Sequence, residues 1–168
     1  MTTDLLDHDL LHRISELKEA YGEDIFESGE CANLARALVY ILQKQGKQAK
    51  YLLVFHHEVV DADDDEDSTR LSHVAVEHDG HVYDIGGVDA DTRWEARWDP
   101  DSYPELSEGR SHEFSYSAIT DEHRLVQACE KWRVKLDPEK RDEYLDFMES
   151  LSFSWRHTQP VRSMGARL

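Results

Sequence analysis

LSHVAVEHDGHVYDIGG, residues 71–87, sets two alternating runs on either side of Asp79-Gly80. That dipeptide is a strong hairpin signal, because a type I′ turn needs positive φ at both central residues. With Asp79 and Gly80 as the loop, His78 pairs with His81, and the register places Ala75 opposite Asp84 and His73 opposite Gly86. Cross-strand partners share a face, so His73, Ala75 and Asp84 point one way. Val74, Val76, Tyr83 and Ile85 point the other way and form a packing surface. His73 and Asp84 are diagonal neighbours, with Cα atoms roughly 7–8 Å apart, so the carboxylate can hold one imidazole nitrogen and fix the tautomer. Ala75 and Gly86 are small and leave room on the His73 face for another element to approach.

Upstream, GECANLARALVYIL (residues 29–42) places Cys31, Leu34, Ala35, Leu38, Ile41 and Leu42 at i, i+3, i+4 and i+7, which predicts a helix from about Cys31 to Gln45. Gly29 frees the backbone just ahead of it, and Gly46 in KQGKQ is the expected C-cap. Cys31 therefore opens a helix on its inward stripe. A helix N-terminus offers unpaired N–H donors and partial positive charge, which favour a thiolate. Cys31 is either an activated nucleophile or a small residue filling the core.

The rest of the chain builds around these two segments. Leu5, Leu6, Leu10, Leu11, Ile14 and Leu17 predict an amphipathic helix over residues 4–20, and IFESGE (25–30) a connector. AKYLLVFHHEVV (49–60) reads as a strand, and DADDDEDSTR (61–70) as a solvated acidic block. The stretch from Val88 to Glu108, with Pro100, Pro104, Trp94, Trp98 and Tyr103, reads as an irregular loop, a short strand within it being open, that walls a substrate cleft. SHEFSYSAI (111–119) is a further strand. TDEHRLVQACEKW (120–132) is a helix capped by Thr120 or Asp121, with Leu125, Val126, Cys129 and Trp132 on one face. A last helix spans about Pro138 to Leu151, and residues 152–168 read as a frayed tail. The fold class is α+β, one domain over 1–168: a core of about residues 25–120 with the cysteine-bearing helix on a small antiparallel sheet, an additional N-terminal helix, and C-terminal helices over 121–151.

Composition sets the outer limits. A chain of 168 residues, 39% hydrophobic and 10% aromatic, suffices for one core. The net charge of −17 argues against a direct nucleic-acid binder, which must neutralise phosphates with Lys and Arg. It serves solubility, attracts a basic partner, or imitates the negative rail of DNA. Two cysteines, Cys31 and Cys129, are no disulfide framework and fit a reducing compartment. The N-terminal stretch lacks the pattern of a secretory signal, and no segment has membrane-spanning length, so the expected location is cytoplasmic, away from membranes. His56, His57, His78 and His81 with the acidic block are the metal-binding competitor. Adjacent histidines face opposite sides of a strand, and the block lacks calcium-loop periodicity, so neither a metal nor a cofactor is expected.

A thiol is a weak nucleophile until a base takes its proton, and the base works best when a third group orients it. The order Cys31, His73, Asp84 in GECANLARALVYIL and SHVAVEHDGHVYDIGG resembles the transglutaminase-like superfamily within the papain-like cysteine enzymes. There a cysteine opens an apolar helix, a strand opens with H-x-x-V, and an aspartate follows a short turn. YDIGG is also similar to the aspartate segment of arylamine N-acetyltransferases. The resemblance covers about residues 25–90 and implies Cys31 as nucleophile, His73 as general base and acid, and Asp84 as the orienting carboxylate. It departs from the family at the cysteine, which Glu30 and Ala32 flank where an aromatic residue is usual. It implies a cysteine hydrolase or acyltransferase: protease, deamidase, amidase or transglutaminase. The substrate would be a protein, a peptide or a small amide or thioester, with a basic one suited to the acidic surface. The competing expectation is a non-catalytic acidic interaction protein, a DNA mimic or an inhibitor of a basic partner, on a degenerate version of this fold.

Overall fold

A computed structural model describes residues 6–27, 29–60, 68–89 and 110–158. The chain is α+β. Its elements are α1 (His8–Tyr21), α2 (Asp24–Glu27), α3 (Cys31–Lys44), β1 (Lys50–Val60), β2 (Ser68–His78), β3 (His81–Asp84), β4 (Gly87–Val88), β5 (Arg110–Ile119), α4 (Glu122–Trp132) and α5 (Pro138–Thr158). The strands form one sheet in the order β4-β3-β2-β1-β5, every neighbouring pair antiparallel.

The hairpin forms as its turn chemistry requires. Asp79 has φ 49° and Gly80 φ 77°, and the ladder pairs His78 with His81, Glu77 with Val82 and Val76 with Tyr83. α3 lies on the Val74 and Val76 face. Leu34, Ala35, Leu38 and Leu42 share one buried cluster with Leu53, Val74, Val76, Tyr83 and Ile85. α1 adds Leu10, Ile14 and Leu17 to that cluster, and α5 adds Tyr144 and Met148. Leu52, Val54 and Ala75 form a second, smaller cluster with Val82 and Phe114 on the other side.

Three boundaries differ from expectation. Residues 24–27, overlapping the start of the expected 25–30 connector, form the single turn α2, which buries Phe26 edge-on against Tyr144 at 4.9 Å between ring centroids. Ser68–Arg70, assigned to the acidic block, begin β2 by pairing with Glu58, His57 and His56. α5 continues through Thr158, so the helical backbone runs seven residues beyond Leu151 into the expected tail. The Val88–Glu108 loop lies outside the described residues beyond Asp89. Among the described residues no helix is long and apolar enough to cross a membrane.

Leu38 sits mid-α3 with none of its surface exposed. Leu38→Ala is therefore expected to cost about 3 kcal/mol, the transfer loss plus a cavity that a helix clamped between sheet and α5 cannot close. Urea denaturation of the two proteins measures it.

Candidate active site

Cys31 is the first residue of α3, and its N–H has no acceptor within the helix. Glu30 stands at the N-cap but its side chain makes no capping bond. Its carboxylate instead accepts from Asn33 Nδ2 at 2.8 Å and from the Tyr144 hydroxyl at 3.2 Å, with Lys135 Nζ 3.7 Å away. Asn33 is fully buried, and its Oδ1 accepts the Asp137 N–H at 2.9 Å. The first turn of α3 is thereby tied to the start of α5, which holds Cys31 in place.

The sheet supplies the other two groups. The β2–β3 ladder stops at Val76–Tyr83, and Asp84 turns to pair with Gly87. This releases the β2 backbone beyond Val76, and the start of α3 docks there. Cys31 Sγ is hydrogen-bonded by the Val74 and Ala32 N–H groups and by the His73 side chain. His73 Nε2 lies 3.0 Å from Asp84 Oδ2, which leaves Nδ1 for the thiol side. Asp84 Oδ1 accepts the Gly86 N–H at 2.8 Å, so the carboxylate cannot swing away. The structure brings Cys31, His73 and Asp84 into one hydrogen-bonded relay. The approach differs from expectation. α3 lies on the Val74 face, not the face of Ala75, and Cys31 reaches His73 past the end of the ladder.

Burial raises the Cys31 thiol, but the His73 hydrogen bond, the imidazolium charge and the two backbone N–H donors outweigh it and leave the pKa below its ordinary value. Burial lowers His73, but the hydrogen bonds to Asp84 and Cys31 and the charges of both raise it to about 9. Each shift favours thiolate and imidazolium together. Cys129 has no such partners, and burial pushes it up to about 11. The three relay residues are nearly enclosed: Cys31 and His73 are 7% exposed and Asp84 4%. They line a cleft with Phe26, Leu34 and Val74 that is too narrow for a water molecule.

The histidines considered as metal ligands have other partners. His57 bonds Thr69 Oγ1 at 2.8 Å and Ser115 Oγ at 2.7 Å, and His78 Nδ1 donates to the Gln48 carbonyl at 2.7 Å. His81 Nδ1 lies 3.2 Å from Asp89. Among the described residues no three His, Cys, Asp or Glu groups converge as a metal site. The acidic block 61–67 lies outside the described residues.

Sequence reasoning missed the roles of Glu30, Asn33 and Tyr144, which connect segments more than 100 residues apart and which no local pattern marks. The chain matches no family model, no curated protein and no solved structure.

Proposed function

We propose that this chain is a cysteine-dependent hydrolase or acyltransferase of transglutaminase-like type, acting on an amide or thioester. The observation that carries the reading is the relay itself: a thiol held below its ordinary pKa by a histidine that a buried carboxylate orients. The Cys31 thiolate attacks the carbonyl carbon, and the tetrahedral oxyanion forms beside the Cys31 N–H at the α3 N-terminus. The C–N or C–S bond then breaks as His73 gives its proton to the leaving amine or thiol. In the second half His73 takes a proton from water or an acceptor amine, which displaces Cys31 and regenerates the thiolate. The net charge of −17 favours a basic substrate or protein target.

The test is an acyl-enzyme trap. The protein is mixed with a panel of small thioesters and basic glutamine-containing peptides, quenched in acid and weighed intact. An acyl adduct mapping to Cys31, absent in Cys31→Ala, is the expected result. No adduct on any donor, together with a biological effect that survives Cys31→Ala, favours instead an acidic binding protein on the same fold.

A further inference from the structure

We infer that Ser72 is a positioning residue for His73, acting through a β-bulge that its hydroxyl holds closed. From Lys50↔Glu77 to Val54↔His73 the β1–β2 pairing keeps one register, and from Phe55↔Leu71 onward it is displaced by one residue. Ser72 is the residue left over. Its Oγ donates to the Val54 carbonyl at 3.1 Å, and Val54 is the residue opposite His73. The side-chain bond therefore clamps the bulge to the strand at the level of the histidine.

The bulge has two consequences. It lets Leu71 and Val74, three residues apart, both enter the α3 cluster, which an unbroken alternation forbids. It also bends and twists β2 one residue before His73, and a bulge at such a point re-aims the neighbouring side chain. His73 has the strand parity of Val54 and Ala75, on the side away from α3, yet it hydrogen-bonds Cys31 at the start of α3. Asp84 fixes the ring at Nε2 only. The bulge fixes the backbone from which the ring projects.

The inference deepens the proposed function, because it matters to catalysis only if Cys31 is the nucleophile, but its test reads the resting protein and needs no substrate. The pH midpoint of Cys31 thiolate formation is measured by ultraviolet absorbance and by iodoacetamide mapping in the full chain, in Ser72→Ala and in Ser72→Thr. Ser72→Ala is expected to raise the midpoint by up to about one pH unit and to slow Cys31 labelling at neutral pH up to about tenfold, the reach of one hydrogen bond. Ser72→Thr, which keeps the hydroxyl, restores both. A midpoint unchanged in Ser72→Ala overturns the positioning role, even if the melting temperature falls. Should Ser72→Ala not fold, Ser72→Gly gives the same reading, being without the hydroxyl and tolerant of bulge geometry. Failure of the acyl-enzyme trap with a shifted midpoint refutes the enzyme and leaves the Ser72 role standing.

Discussion

His73→Ala is expected to slow alkylation of Cys31 at pH 7 by about 30-fold and to reduce acyl transfer by about 10²- to 10⁴-fold, the usual loss when a positioned acid–base group is removed. The first effect follows from the opposing terms at the sulfur. Burial raises the thiol, and His73 supplies both the leading hydrogen bond and the charge that offset it. Without the ring, two backbone N–H donors remain against a nearly closed environment, and the pKa moves to or above that of an ordinary cysteine, where roughly 3% or less is thiolate at pH 7. Timed iodoacetamide labelling with peptide mapping checks this, Cys129 serving as the internal reference because burial keeps it protonated. Equal Cys31 labelling rates in the two proteins would show that the imidazole does not set the thiol's ionisation.

Cys31→Ala is expected to abolish covalent intermediate formation outright and to change the pH dependence of stability. In the full chain, His73 is raised from 6.5 to about 9, so its contribution is complete below 6.5 and is lost as pH climbs toward 9. Cys31 is lowered from 9.0, so its contribution is complete above that value and is lost as pH falls through its folded pKa. Between 6.5 and 9, wherever the folded chain holds Cys31 as thiolate and His73 as imidazolium, the two slopes cancel, since one proton sits on His73 in the folded chain and one on the thiol in the unfolded chain. The Cys31 share is lost as pH falls through the thiol's folded pKa. Without the thiol the compensation disappears. His73 still gains from Asp84, and Cys31→Ala therefore loses stability as pH rises above 6.5. Urea midpoints of both proteins between pH 6.5 and 9 distinguish a flat profile in the full chain from a falling one in Cys31→Ala.

The relay was partly legible because its two halves obey different local rules. The Asp79-Gly80 turn fixes the hairpin register from His78–His81 to Val76–Tyr83 and so brings Asp84 near His73, although the expected Ala75–Asp84 and His73–Gly86 pairs do not form because Asp84 turns to pair with Gly87. The 3.6-residue stripe of α3 puts Cys31 at a helix start. How the two meet was not legible. The approach depends on where β3 leaves β2, on the bulge at Ser72, and on the Glu30–Asn33–Tyr144 contacts to α5, all of which are tertiary. Periodicity likewise cannot foresee α2, one turn long, or the start of β2 in a segment whose charges read as a solvated loop.

The most direct test is an ultraviolet titration of thiolate formation, taken as the difference between the full chain and Cys31→Ala. The account predicts a step for Cys31 well below the ordinary cysteine value of about 8.5, lost in His73→Ala. A step at or above that value in the full chain would mean a buried neutral thiol beside a structural histidine, and would contradict the relay.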